Sequence, residues 1–510
     1  MIGQILEGFI STAAPLNVIL IFAGAFVGIV FGAIPGLSGD LAVILFLPLT
    51  FNMECLPAIL LLLGIYCGST YGGSITAILI GTPGTNVAMA TVFDGYPMSL
   101  NGKPRKALSM ALFASTIGGI ISALILLFTA PYISSFVLRF GPPEYFALAV
   151  FGISIIAGVS GNSMLRGIIM GCFGIIVGCI GVDSASGAVR FSFNNVFLMK
   201  GLGLLPVLLG VFAVPNILNQ IYSRGYKKVF NSSAQLDKED VLTRQERKEH
   251  MPLILRSTII GSVIGAIPGA GAAIASFMAY NEAKRISKKG HLFGSGVLEG
   301  IAAPEAANNA VTGCSLIPLF TLGIPGSVIA ALLIGAFTMQ GLTPGPTLFK
   351  TQSDLMYAIM AGMIICNIAM FLEGKYLLKF FTKLSRIPQP LLFTCLALFC
   401  VSGSYSFSNH IFNVYVLLVF GVIMFLLQRI GFPGAPFVLG IVLGSLLEGN
   451  LKNSLVMSDG SWLIFIKRPI CLCILIITVV FTVYSVKKTR ELKKIGAQQT
   501  GADEATALED

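Results

Sequence analysis

The chain reads as an all-α polytopic membrane protein. It is built from two inverted repeats, each with a re-entrant hairpin and a broken helix, about ten to twelve membrane spans in all. Three observations predict this. Hydrophobic residues make up 55% of the 510 and charged residues only 11%, where a soluble domain carries about 25% charged. The apolar runs are continuous rather than alternating, which excludes a β-barrel. Gly-Pro breaks recur in the same order in the two halves of the chain, the mark of an internal repeat.

Residues 1–14 form a short amphipathic lead without the basic n-region of a cleavable signal peptide. Residues 15–34 are apolar and end in Gly32-Ala33-Ile34-Pro35-Gly36, followed by Leu37-Ser38-Gly39-Asp40 and a shorter apolar run to Leu49. Residues 58–80 predict a helix with a polar tinge, carrying Ser69, Thr70, Tyr71 and the small pair Gly72-Gly73. It breaks at Gly81-Thr82-Pro83-Gly84-Thr85-Asn86. After the basic loop at 102–106, spans are expected near 107–130, 145–158, 164–182 and 202–222. The long hydrophilic loop 223–250 closes the first half.

The pattern then restarts. Gly32-Ala33-Ile34-Pro35-Gly36 returns as Gly265-Ala266-Ile267-Pro268-Gly269, and Gly81-Thr82-Pro83-Gly84-Thr85 as Gly323-Ile324-Pro325-Gly326-Ser327. Asp94-Gly95-Tyr96-Pro97 resembles Gln340-Gly341-Leu342-Thr343-Pro344, and Pro143 and Pro390 each precede an apolar run. Four matches in one order divide the chain into a first repeat (1–222), a linker loop (223–250), a second repeat (251–462) and an appended span with its tail (463–510). Basic loops pair with nearly neutral ones: Lys103, Arg105 and Lys106 against Lys350 alone, and Lys284, Arg285, Lys288 and Lys289 against none at 51–57. Under the positive-inside rule equivalent loops lie on opposite faces, so the repeats are inverted and the C-terminal tail is cytoplasmic. Segments 15–50 and 252–280 then enter and leave on one side, as re-entrant hairpins. The net charge of +10 is explained by these loops, and nucleic acid is not an expected partner.

Residues 300–327 are too polar for a lipid-facing helix. Glu305, Asn308, Asn309 and Thr312 share one helical face, and polar groups at membrane depth mark substrate or ion sites. Broken helices expose N–H groups that bind carboxylates and carbonyls that bind hard cations. The expected substrate-binding residues are Ser38, Ser69, Thr70, Thr82, Thr85, Asn86, Asn308, Asn309, Thr312 and Ser327. The expected cation-binding set is Asp40, Gly36, Gly84, Glu305 and Gly326, where Asp40 and Glu305 each have a helix-capping role as an equal alternative. No nucleophile elbow, Walker A sequence or metal-ligand spacing is present. The chain therefore reads as a transporter rather than an enzyme, without a cofactor or a metal site. The 10 cysteines, mostly inside apolar runs, read as packing residues.

Gly32–Asp40, Gly64–Thr85 with its Tyr71-Gly72-Gly73-Ser74, Pro304–Gly313 and Gly323–Gly326 together resemble the large membrane subunit of the tripartite tricarboxylate transporters. The resemblance runs from Gly32 to about residue 485, with Cys314 where a smaller residue is common. It implies a bacterial inner-membrane importer of organic carboxylates driven by a cation gradient, Na+ first and H+ second. It also implies two partners, a small four-helix membrane subunit and a periplasmic solute-binding protein. An anion channel or a partner-independent carrier is the alternative. The polar and Gly-Pro-rich segments fall early in each repeat and the plain spans later. This favours an elevator, in which 15–50, 58–93, 252–280 and 300–340 form the moving block and the later spans stay fixed.

Overall fold

The computed structural model describes residues 2–34, 37–159, 164–183, 187–222, 241–268, 271–378, 380, 389–480 and 482–483. In chain order its helices are α1 (Ile2–Thr12), α2 (Pro15–Gly32), α3 (Gly39–Phe46), α4 (Cys55–Ile80), α5 (Met89–Leu100), α6 (Pro104–Val137), α7 (Pro142–Val159) and α8 (Met164–Gly178). A two-residue hairpin pairs β1 (Gly181–Val182) with β2 (Val189–Arg190). Then come α9 (Val196–Met199), α10 (Leu204–Leu208), which a π turn joins to α11 (Val214–Tyr222), α12 (Arg244–Ala266) and α13 (Ala272–Ile286). They are followed by α14 (Glu299–Cys314), α15 (Leu316–Leu322), α16 (Val328–Met339), α17 (Pro346–Thr351) and α18 (Ser353–Tyr376). The last are α19 (Gln389–Ser406), α20 (Ile411–Arg429), α21 (Gly434–Met457), α22 (Ile464–Lys467) and α23 (Pro469–Val480).

Among the described residues six helices are long and apolar enough to cross a membrane: α2, α4, α6, α18, α20 and α21. Others, such as α3 and α16, are apolar but shorter, as the halves of hairpins and broken helices must be. The protein is therefore an all-α polytopic membrane protein. Contacts divide the chain into two compact units, one of residues 1–139 and 203–426, the other of 140–202 and 427–510.

In the larger unit α2 and α3 both pack on α4, and α12 and α13 both pack on α14. Helix α4 ends at Gly81 (φ +67°) and α15, continuing α14, ends at Gly323 (φ +70°). Both glycines take the left-handed conformation that L side chains resist. A short extended stretch follows each before α5 and α16 begin. The two sets interlock: α14 packs on α6, α4 packs on α18, the turn at Asn86–Ala88 touches α13, and α16 touches α3.

Small residues make this interlock possible. Gly24, Gly28 and Gly32 of α2 face the carbonyls of Leu61, Ile65 and Ser69, while Gly64, Gly68 and Gly72 of α4 face those of Ile21, Ala25 and Ile29. A Cβ at Gly68 would sit 2.2 Å from the Ala25 oxygen. Lipid gives no hydrophobic drive between helices, so such backbone approach supplies the packing energy. Gly118 of α6 makes the same approach to Ala306 of α14. Of the later spans, α6 packs on α14 and α18 on α4.

In the smaller unit α21 packs on α7 and α8. Arg190 of β2 reaches Glu448 of α21 at 2.5 Å and Asp183 at 3.6 Å, and Lys452 reaches both carboxylates. Arg468 pairs with the buried Glu144 of α7 at 3.1 Å.

Candidate functional site

Ser38 caps α3, its Oγ accepting from the Leu41 N–H at 3.2 Å, and Ser327 caps α16, accepting from the Ala330 N–H at 3.1 Å. Both are the first polar residues after a break, where helix N–H groups have no intrahelical partner. The two N-termini approach α4 together. Gly39 leaves room for the Ser69 side chain, which a Cβ there would meet at 2.1 Å. Tyr66, one turn before Ser69, places its hydroxyl 3.2 Å from Ser315 Oγ, with Ser327 also beside it. Gly326 lies against the Ser315 carbonyl. Ser38, Asp40, Ser69, Gly326 and Ser327 are thus brought together around Tyr66 and Ser315, which the sequence reading missed. Helical spacing held the signal: Tyr66 precedes Ser69 and Thr70 by one turn, and Ser315 follows Thr312 by one turn.

Around the other break Gly84 donates its N–H to the Gly73 carbonyl at 3.2 Å and packs against the Gly32 carbonyl. Thr85 Oγ1 is buried against Gly73 without a hydrogen-bond partner, while Thr82 and Asn86 are exposed. Ser276 of α13 donates to the Val87 carbonyl at 3.0 Å, tying the second hairpin to this break. Gly36 lies outside the described residues.

Glu305, Asn308 and Asn309 are fully buried and Thr312 nearly so. The Asn309 amide donates to the Glu305 carbonyl at 3.1 Å and to Asn308 Oδ1 at 2.5 Å, and its own Oδ1 has no partner. Thr70 and Thr312 return their hydroxyls to the helix, to the carbonyls of Tyr66 and Asn309. The Glu305 carboxylate does not join the Tyr66 group. It accepts from Ser74 of α4 at 2.5 Å, from Thr91 of α5 and from Ser115 of α6 at 2.8 Å. None of those three hydroxyls was singled out by the sequence.

Two helix breaks, two Ser-capped N-termini and a hydroxyl-rich interior inside a polytopic membrane protein define a membrane transport protein. The chain belongs to the tripartite tricarboxylate transporter TctA family, whose model matches residues 18–439. It is 37% identical over 480 residues to an Agrobacterium vitis protein described as an uncharacterized 52.8 kDa protein in the TAR-I ttuC' 3'region, covering 93% of this chain and 94% of that one. A second Agrobacterium vitis protein, described as an uncharacterized protein in the TAR-II ttuC' 3'region, is 41% identical over 215 residues, covering 42% of this chain and 89% of that one. No solved structure matches significantly.

Proposed function

We propose that this large subunit imports tricarboxylates or related organic carboxylates using a cation gradient, with Na+ as the first candidate and H+ as the second. Its partners would be a small four-helix membrane subunit and a periplasmic solute-binding protein, in a bacterial inner membrane with the C-terminus cytoplasmic. The observation that carries the reading is the approach of the α3 and α16 N-termini to the Tyr66 hydroxyl. Backbone N–H groups at helix N-termini hold a carboxylate without a buried Lys or Arg. Ser38, Ser69, Ser327, Asn308, Asn309 and Thr312 would then face substrate from the second break and its hairpin partner. Thr82, Thr85 and Asn86 would do so from the first, and Thr70 would support them. Asp40 and the carbonyls near Gly36, Gly84 and Gly326 are the hard oxygens open to a cation.

We read 1–222 and 251–462 as inverted repeats, supported by the matched order of hairpin, broken helix and left-handed glycine. The motion proposed is an elevator. Both breaks and both hairpins belong to one compact unit, and α14–α6 and α4–α18 contacts join the repeats within it. Rocking one repeat against the other would have to tear those contacts, whereas an elevator keeps them if α6 and α18 travel with the moving block. The test is uptake of a carboxylate panel into proteoliposomes holding both membrane subunits. Uptake should need the binding protein and an imposed gradient. Full-rate uptake without either would favour a channel or a partner-independent carrier instead.

A further inference from the structure

The larger unit buries two carboxylates completely, Asp94 and Glu305, and satisfies them in different ways. Asp94 Oδ1 accepts the backbone N–H groups of Gly294, Gly296 and Val297 at 2.9, 2.9 and 3.0 Å, and its Oδ2 accepts the Tyr280 hydroxyl at 2.9 Å. Backbone N–H groups only donate, so that cradle offers no oxygen to a cation. Glu305 has no such backbone N–H cradle; the N–H group beside it is the Asn308 side-chain amide. The carboxylate's partners are the hydroxyls of Ser74, Thr91 and Ser115, all fully buried. A hydroxyl donates one hydrogen and offers two lone pairs. It can donate to a bare carboxylate, or rotate and present oxygen to a positive charge.

Charge balance points the same way. Among the described residues Glu305 has no ion pair, whereas Glu144 and Glu448 each have an Arg or Lys partner. An uncompensated carboxylate so deep costs several kcal/mol. Two further buried polar atoms that lack a hydrogen bond of normal geometry lie near it: Tyr71 Oη, and Asn308 Nδ2 on the next helical turn. Glu373 of α18 also leaves an oxygen unpartnered, but no hydroxyl is found hydrogen-bonded to it among the described residues. Asp40 lies in the first turn of α3, where the helix dipole already offsets its charge.

We propose that Glu305, with Ser74, Thr91 and Ser115, forms a binding site for a small monovalent cation, Na+ or a proton, separate from the Tyr66 group. This deepens the transport reading and rests on it only for the site's role in coupling. Thr91 belongs to α5, directly after the first break. A cation that draws Thr91, Ser74 and Ser115 around Glu305 fixes α5 against α4, α6 and α14. The Asn309 bond to the Glu305 carbonyl carries the same order to the polar stripe.

Two measurements test this on the full-length protein. In the first, the thermal midpoint of the purified protein is followed as NaCl replaces choline chloride, and separately as pH is lowered at fixed ionic strength. The wild type should be stabilised by one of these, which names the cation, because a ligand that binds only the folded state raises the midpoint. Glu305→Gln should lose that response; Ser115→Ala should need about tenfold more Na+ if Na+ is the cation, because a ligand oxygen is lost, and about tenfold less H+ if the proton is, because the bare carboxylate loses a hydrogen-bond donor. In the second, reconstituted complexes are assayed for gradient-driven uptake and for counterflow. Glu305→Gln should lose gradient response and keep counterflow. If Glu305→Gln fails to insert, Ser115→Ala decides by its shift alone. A cation response of wild-type size in the variants, or no response to either cation in the wild type, overturns the site. Absence of carboxylate counterflow in the wild type would sink the transport reading while leaving the cation titration interpretable.

Discussion

Asp94, midway along α5, and Gln340, at the C-cap of α16, fasten opposite loops with opposite chemistry. Asp94 accepts three backbone N–H groups from residues 294–297, ahead of α14. Gln340 donates its amide to the carbonyls of Thr50 and Met53 at 3.0 and 3.1 Å, ahead of α4. In each case the helix that follows one break pins the loop that leads into the other long broken helix, so the two halves of the larger unit are cross-braced.

Replacing Asp94 with Ala should leave three backbone N–H groups and the Tyr280 hydroxyl without their acceptor. Each buried orphan costs about 1–3 kcal/mol, so a total loss of about 3 kcal/mol or more is expected after relaxation. Gln340→Ala, which removes a half-exposed side chain, should cost about 1 kcal/mol. Thermal denaturation in detergent checks both. Equal effects from the two variants would contradict the difference in burial on which the estimate rests.

The start of α12 should be most firmly held in a window of mildly acidic pH. Burial would raise the Glu246 carboxyl, but the Thr243 N–H, the Lys106 ammonium at 2.9 Å and the Thr243 hydroxyl outweigh it and bring it to about 2. A lowered carboxyl contributes stability above its ordinary 4.5 and loses it as pH falls toward 2. For His250 burial would lower the imidazole, but Glu299, at 3.7 Å from Nε2, and the Glu246 carbonyl raise it above 6.5. A raised imidazole contributes below its ordinary 6.5 and loses that as pH rises through the folded value. Amide exchange over residues 244–250, corrected for intrinsic rate, should therefore be slowest between about pH 5 and 6.5. Protection that keeps rising to pH 8 would rule out the His250–Glu299 contribution.

The backbone architecture was legible because Gly-Pro breaks must be written into the chain. Gly81 and Gly323 need a left-handed φ, and their repetition gave both the break positions and the matched order of elements. The motif containing Asp94 and Gln340 was read as a repeat mark, but its fastening role was hidden, since the partners at 294–297 and 50–53 are backbone atoms. The Glu305 partners were hidden differently. Ser74, Thr91 and Ser115 look like ordinary small helix residues, and only the crossing of α4, α5 and α6 at α14 makes them a group. Tyr66 was missed because a tyrosine in an apolar run reads as packing.

Inversion of the repeats makes a sidedness prediction. Lys103, before α6, and Thr347, before α18, are both exposed and occupy equivalent places. Lys103→Cys and Thr347→Cys, in a background lacking the native cysteines, should be labelled by an impermeant maleimide from opposite faces. Labelling from one face would make the repeats parallel.

The α2–α4 seam should tolerate no side chain at Gly68. A Cβ there meets the Ala25 oxygen at 2.2 Å, and backbone cannot step aside as a side-chain end can. Gly68→Val should cost about 2 kcal/mol or more and reduce the amount of folded protein recovered. Gly3→Val, at a position with nothing within 4 Å, should leave recovery unchanged. Similar recovery of both variants would mean that the seam is looser than described.

Tyr66 and Asn309 should affect transport far more than folding. Tyr66→Phe keeps the ring that packs α4 and removes only the hydroxyl that meets Ser315 and Ser327. Asn309→Ala removes an amide whose Oδ1 already lacks a partner, so little native bonding is lost beyond the contacts to Asn308 and the Glu305 carbonyl. If these groups meet an anionic substrate, each removes one hydrogen bond to charge, worth about 1.5–3 kcal/mol. The expected outcome is a substrate KM raised about tenfold or more, with insertion and thermal midpoint close to wild type. A structural role alone would move the midpoint and leave KM in place. The two variants should also add less than fully when combined, because both would act on one bound carboxylate. Independent effects on KM would assign them to separate parts of the cavity and remove Asn309 from the substrate site.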